Sequence, residues 1–251
     1  MKKFFIPTPL GKIAAVAHQS KQADNKLAVI GPGFLDSKDY PHLVALANDL
    51  SERGYTAVRF DPLGTWDSEG DISVYTNTQY IKDFEVVIDF MLAQNNYEDI
   101  LVVGHSRAGS ISLFVAAQDS RVTKVISIMG APINQREGES LAKWQNQGFR
   151  LIDRDIPNST ERKQFNVPFS HVDDQAKYNN NFNLLKQIKS PKLIIAGEID
   201  TVRPLDHMKQ LYTELTELKR FVLAPKIGHD YRFNPDEIKV VNRLILDNLD
   251  F

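Results

Sequence analysis

Short apolar runs and amphipathic stretches take turns along most of this chain. Residues 26–30, Lys-Leu-Ala-Val-Ile, form a continuous apolar run ending in Gly31-Pro32-Gly33, as expected of a strand buried on both faces in a parallel sheet. Over residues 40–53 the period changes. Leu43, Leu46, Ala47 and Leu50 recur at three- and four-residue spacing and Gly54 follows, which predicts an amphipathic helix with a glycine stop. The exchange then repeats, predicting strands at 56–60, 100–103, 124–129, 192–196 and 220–223 and helices near 79–93, 108–118, 206–215 and 235–249. At the start, residues 4–6 and 13–16 flank Pro9-Leu10-Gly11 and predict a hairpin. Strands separated by helices of about a dozen residues need crossover connections, so the pattern predicts an α/β fold with a mostly parallel sheet of about eight strands, flanked by helices.

Between Pro132 and Pro191 this rhythm breaks. A helix is predicted at 138–147 and a strand at 149–153, after which Pro157, Pro168 and Asn179-Asn180-Asn181 interrupt the pattern. A structureless loop of that length is unusual in a compact domain. The expectation is a small lid over 133–189, inserted in a core made of 1–132 and 190–251. The plain alternative is an excursion packed on the sheet edge.

Composition narrows the function classes. The 30 Lys+Arg nearly balance the 32 Asp+Glu, for a net charge of −2, which gives no support to a broad nucleic-acid-binding surface. With no Cys, disulfides, thiolate nucleophiles and thiolate metal sites are excluded. The basic onset Met1-Lys2-Lys3 leads into an apolar run that stops at Pro7, too short for a signal peptide. No stretch approaches the roughly 18 apolar residues of a membrane span. The expectation is a soluble, cytoplasmic protein without membrane insertion; its oligomeric state is left open.

The strongest chemical signal is Gly104-His105-Ser106-Arg107-Ala108-Gly109, after a predicted strand and before a helix. A serine there occupies a sharp turn in a strained backbone state, with its hydroxyl exposed. The positions two before and two after it come together and need small side chains, which Gly104 and Ala108 supply. The helix start aims amide hydrogens at an oxygen developing negative charge, and the Arg107 N–H is the expected donor. A serine in an ordinary tight turn is the bland alternative.

A hydroxyl nucleophile needs an imidazole to take its proton, and the imidazole needs a carboxylate to hold its tautomer. Asp200 lies just beyond the strand at 192–196, and His229 lies in Ile227-Gly228-His229-Asp230 after the next strand. Both fall on the carboxyl edge of the sheet, where open α/β folds bind ligands. Glu198 is the rival acid. His105 is expected to point away from Ser106, and His171 and His207 suit the surface or the lid. Gly31-Pro32-Gly33-Phe34 offers a second oxyanion donor, the Phe34 N–H, with Gly33 letting backbone approach substrate. A dinucleotide fingerprint, a P-loop and a His-Glu-x-x-His zinc motif are all missing. Neither a cofactor nor a metal is expected.

Taken together, these residues resemble the α/β-hydrolase superfamily over nearly the whole chain. The likeness is greatest to small lidded serine esterases of the cinnamoyl and feruloyl type, and to serine aminopeptidase-like hydrolases. The chain order Ser106, Asp200, His229 matches nucleophile, acid and base. Gly33-Phe34 resembles the oxyanion loop, with Pro32 where His is usual. Residues 61–70 resemble the glycine-rich loop after the next strand, with Trp66 where a second Gly is often found. Ala108 stands where the pentapeptide usually has its second Gly. The resemblance implies cleavage of a small or medium carboxylic ester through an acyl-enzyme, with peptide and thioester cleavage as enzymatic alternatives and a non-catalytic binding protein as the other class. An aromatic or apolar acyl part is favoured, because Trp66 and Phe34 lie in core loops and Trp144, Phe149, Phe165 and Phe169 in the inserted segment. The same aromatics would equally serve as that segment's own small core. The Arg107 side chain either recognises an acidic substrate or pairs with a surface carboxylate.

Overall fold

A computed structural model describes residues 1–20, 25–133 and 139–250. Gly138, the first residue of the helix predicted at 138–147, and Phe251, the last of the predicted core, lie outside the described residues. The chain opens with the antiparallel pair β1 (Lys2–Thr8) and β2 (Gly11–His18). Strand and helix then alternate through β3 (Lys26–Gly31), α1 (Pro41–Glu52), β4 (Tyr55–Phe60), α2 (Asn77–Leu92), β5 (Asp99–His105), α3 (Arg107–Gln118) and β6 (Lys124–Ile128). The next segment holds α4 (Glu139–Gln147), the strands β7 (Phe149–Asp155) and β8 (Arg162–Pro168), and the short helices α5 (Ser170–Ala176) and α6 (Phe182–Leu185). The alternation resumes with β9 (Lys192–Gly197), α7 (Leu205–Glu214), β10 (Lys219–Ala224) and α8 (Pro235–Leu246).

Eight strands form one sheet in the order β1-β2-β4-β3-β5-β6-β9-β10. From β4 to β10 every pairing is parallel, and only the β1–β2 hairpin and its junction with β4 are antiparallel. Strand residues alternate between the two faces. In β5, Leu101 and Val103 pack with Leu43, Leu46 and Leu50 of α1 and Val241 and Ile245 of α8. Ile100 and Val102 pack on the other face, with Phe84 and Val87 of α2 and Leu113 of α3. Both faces are thus sealed by helices, as the apolar runs predict. The last helix ends at Leu246 rather than 249, because the chain tightens into a turn in which the Leu249 N–H reaches Leu246 O at 3.5 Å.

The largest departure from expectation lies between β6 and β9. Residues 149–185 are more regular than their prolines and asparagines suggest. Pro157 and Asn158 form the turn of a hairpin: Asn158 takes φ +57°, and the Ile156 N–H closes on Glu161 O at 3.0 Å. β7 and β8 pair antiparallel in a sheet separate from the main one. Phe165 and Val167 point inward from β8 while Gln164 and Asn166 stay exposed, a two-residue period legible in the sequence. Asn181, in the asparagine run, caps α6 by accepting from the Leu184 N–H. Among the described residues no helix is long and apolar enough to cross a membrane.

Candidate active site

Ser106 stands between β5 and α3 with φ +56° and ψ −117°, a conformation that costs a non-glycine residue about 1–3 kcal/mol. Its N–H donates to Ile128 O at 2.8 Å, tying the turn to β6. The turn is so sharp that a Cβ on Gly104 would lie 2.5 Å from Ala108 Cβ. It would lie closer still to the Ala108 carbonyl carbon, so position 104 must be glycine, whereas position 108 carries its methyl group. Gly109 carries the second close approach: a Cβ there would lie 2.8 Å from Ser127 Oγ and 3.1 Å from Gly130 Cα. This contact with the end of β6 and the residues after it requires glycine at 109.

Asp200 and His229 reach Ser106 from the loops after β9 and β10. Asp200 Oδ1 accepts the Val202 and Arg203 N–H groups at 2.8 and 2.7 Å, and Oδ2 lies 2.7 Å from His229 Nδ1. A carboxylate there assigns the proton to Nδ1. This leaves Nε2, 2.8 Å from Ser106 Oγ, as an acceptor for the serine hydroxyl. Glu198 is elsewhere, its Oε2 accepting the exposed Lys226 N–H at 2.7 Å.

The loop after β3 closes on the serine. A Cβ on Gly33 would sit 3.5 Å from Ser106 Cβ and 2.5 Å from Asp36 Oδ2, so a side chain there would push the Asp36 carboxylate from its place. The Tyr80 hydroxyl donates to Pro32 O at 2.7 Å, Trp66 Nε1 to Leu35 O at 3.0 Å, and Arg154 Nη2 to Phe34 O at 2.8 Å. These bonds hold the peptides around Phe34 in one orientation. On the other side the Arg107 N–H, in the first turn of α3, has no acceptor within the helix.

Ser106 and His229 open onto a cleft of about 400 Å³, whose apolar wall includes Phe34, Ile111, Phe114 and Ile133. Five aromatics expected near substrate are not part of that lining, and of these Phe149 is exposed. Trp144 is 2% exposed and donates Nε1–H to Val167 O at 3.0 Å. Phe165 is buried against Trp66 at 5.5 Å, and Phe169 packs on Trp144 at 6.3 Å. They form the apolar core under the 139–185 segment, which needs one to stay folded. Trp66 adopts φ +42°, the left-handed state that a glycine would take without strain.

Two further expectations change. His171 does lie in the inserted segment but not at the surface: it is 1% exposed in α5, with Nδ1 3.0 Å from Tyr75 O and Nε2 2.8 Å from Arg107 Nη1. Among the described residues the Arg107 guanidinium pairs with no carboxylate, and it stacks 4.4 Å from the Tyr75 ring centroid and 5.3 Å from that of Phe34. Arg154, Arg203 and Arg232 also line the cleft. Nothing in local spacing marks them, because each arrives from a different segment.

Behind the elbow, Asp36, His42 and His105 each place one potential ligand atom within 4.8 Å of the others. Arg232 Nη1 already donates to Asp36 Oδ1 at 2.6 Å, so a metal cation there would compete with a guanidinium. Burial, reinforced by Arg232, pushes the His42 pKa down to about 3, and burial likewise drives His105 well below the usual histidine range. Both imidazoles are thus neutral when folded and must charge when the chain unfolds below about pH 6.5. A depressed folded-state pKa means stability present above 6.5 and lost as pH falls. His42 alone should remove about 2 kcal/mol between pH 7 and pH 5. Urea midpoints for the wild type and His42→Leu at these two pH values check this. An identical pH dependence in both proteins would contradict it.

Several solved structures share the whole architecture. Est1E from Butyrivibrio proteoclasticus, solved with ferulic acid bound, is 18% identical, covers 99% of this chain and 100% of its own, and superposes with a TM-score of 0.76. GrgF from Penicillium sp. sh18, an alpha/beta hydrolase, gives 18% identity, coverage of 98% and 96%, and a TM-score of 0.80. Alpha/beta hydrolase domain-containing protein 10 from mouse gives 18% identity, coverage of 100% and 99%, and a TM-score of 0.77. At such identities the likeness carries the fold alone. No curated protein sequence matches the chain. A family profile described as the alpha/beta hydrolase fold matches residues 29–173, more than half of the chain and including the Ser106 elbow. This chain belongs to the alpha/beta hydrolase fold family.

Proposed function

We propose that this protein is a serine hydrolase that cleaves small or medium-sized carboxylic esters through an acyl-enzyme. The observation that carries the reading is the relay in which His229 joins Asp200 at 2.7 Å to Ser106 at 2.8 Å, on a turn that exposes the serine to a cleft. Ser106 Oγ attacks the ester carbonyl carbon as His229 Nε2 takes its proton, and Asp200 stabilises the imidazolium. The Arg107 and Phe34 N–H groups stabilise the tetrahedral oxyanion. As the C–O bond breaks, His229 protonates the departing alcohol. His229 then deprotonates a water that attacks the acyl-enzyme, and returns the proton to Ser106 as the carboxylic acid leaves. The groups involved are those of the chain, the substrate and water.

In this reading residues 133–189 act as a lid on a core of 1–132 and 190–251. Arg154, His171 and Tyr178 of that segment line the cleft, which supports the assignment. The cleft's size and mixed lining suit a short acyl chain, and the aromatic acyl preference keeps Phe34 alone of the aromatics it was argued from, with Trp66, Trp144, Phe149, Phe165 and Phe169 outside the lining.

The test has two parts. A fluorophosphonate probe should label the purified protein stoichiometrically, with the adduct on Ser106. Then kcat/KM is compared across acetyl, butyryl, octanoyl and cinnamoyl esters, aminoacyl anilides and acyl thioesters, where the short esters should lead. Preference for an anilide or thioester overturns the carboxylesterase assignment. No labelling at all favours a binding protein on a hydrolase fold.

A further inference from the structure

The cleft beside Ser106 is unusually rich in guanidinium groups for a neutral ester. Arg107, Arg154, Arg203 and Arg232 all line it, and among the described residues Asp230 is the carboxylic acid in the same lining. Two of the four cations have their charge met. Arg232 bonds Asp36 at 2.6 Å and Asp230 at 3.0 Å, and Arg154 approaches Asp36 at 3.9 Å. Arg107 and Arg203 have no carboxylate within ion-pair distance among the described residues.

Among the described residues, their polar neighbours supply no carboxylate. Arg107 Nη1 meets the His171 imidazole, and its Nε and Nη2 have no acceptor. Arg203 Nη1 meets the neutral Ile133 carbonyl at 3.0 Å, and its Nε has none. The nearest acids are already engaged: Asp174 accepts from Thr78 and Lys177, and Asp200 from His229 and two backbone amides. Burial disfavours the charged form of both arginines, and pulls their pKa values down. Taking a cation out of water without a counter-charge is unfavourable for a structural role, which a neutral side chain would serve better. A ring such as Tyr75 offsets only part of that.

Resting on the ester-hydrolase reading above, we propose that the preferred substrate carries a carboxylate, which the positive field of Arg107 and Arg203 draws into the cleft. Such a group supplies the missing counter-charge within a partly desolvated pocket, where attraction is stronger than in water. It favours one ester over a neutral ester of the same shape, and it does so on whichever side of the scissile bond the carboxylate lies.

The experiment compares matched ester pairs. In one arm the acyl part differs, p-nitrophenyl hemiglutarate against p-nitrophenyl pentanoate. In the other the alcohol differs, a carboxylated against a neutral aryl butanoate of equal leaving-group pKa. The ratio of kcat/KM, charged over neutral, should exceed about ten in at least one arm, a factor of ten being about 1.4 kcal/mol. It should fall at least fivefold in Arg107→Gln or Arg203→Gln, fall less in Arg107→Lys, and shrink with added salt. A ratio of one or less in both arms overturns the proposal, as does a ratio that both glutamine variants leave unchanged. Because the ratio is taken within each protein, a general loss of activity does not imitate the effect.

Failure of the ester-hydrolase reading is separable. Should no ester be turned over, binding of glutarate and of neutral glutaramide to the Ser106→Ala protein is measured by calorimetry. Glutarate binding that exceeds glutaramide binding and weakens at least fivefold on adding Arg107→Gln or Arg203→Gln supports the anion subsite alone. Equal binding of the two compounds, or no effect of either arginine substitution, overturns it.

Discussion

Ser106→Ala should lower kcat/KM toward a short p-nitrophenyl ester by about 10⁴-fold or more, while the protein stays folded. The substitution deletes one oxygen, the atom 2.8 Å from His229 Nε2, and keeps the Cβ. Alanine at φ +56° is strained much as serine is, so the turn loses little it does not already bear. What remains is water attacking an ester held between the Arg107 and Phe34 amides, which lacks the covalent route. Purified Ser106→Ala is assayed beside the wild type, with circular dichroism and thermal midpoint as the folding check. A midpoint within a few degrees and residual activity above a tenth of wild type would exclude Ser106 as nucleophile.

Asp200→Asn should cost about 10⁴-fold in kcat through the histidine tautomer, with little change in shape. The Val202 and Arg203 N–H groups donate to Oδ1 at 2.8 and 2.7 Å, so the asparagine carbonyl takes that position. Its NH₂ then faces His229 Nδ1, which must accept. The remaining ring proton moves to Nε2, aimed at Ser106 Oγ, where an acceptor is needed. The variant should thus be folded, retain binding of a non-hydrolysable ester analogue, and regain activity at high pH as the serine hydroxyl ionises without help. The pH–rate profile is the decisive measurement, since a purely structural role for Asp200 would lower the rate equally at every pH. A loss below tenfold at neutral pH would remove Asp200 from the relay.

Much of the fold was legible because its causes are local. Leu43, Leu46 and Leu50 share a face of α1 through the 3.6-residue period alone, and β5 reads as a strand from its uninterrupted apolar run. The Ser106 turn is equally local, since its demand for small residues acts across four positions. The 149–185 region was less legible for a physical reason. Pro157, Asn158 and Asn181 are turn and cap residues, and the same residue types that break a long element also shape the ends of short ones. Phe165 and Val167 carried the strand signal between them, but two inward positions are a faint period.

The sequence by itself determined the alternation of strands and helices, the parallel sheet they require, and the three residues, Ser106, Asp200 and His229, that its carboxyl edge gathers. Periodicity and turn chemistry act over a few residues, so they are written in order along the chain. The tertiary structure alone decided what surrounds them. It buried Trp144 and Phe165 under the segment after β6 and kept them from the cleft, placed Arg107 against a histidine 64 positions away, and spent the charge of Arg232 on Asp36, 196 positions away. It also brought Arg107 and Arg203 to the cleft with no carboxylate within ion-pair distance of either among the described residues. Charge compensation and burial depend on which distant segments meet, and no local pattern encodes that meeting.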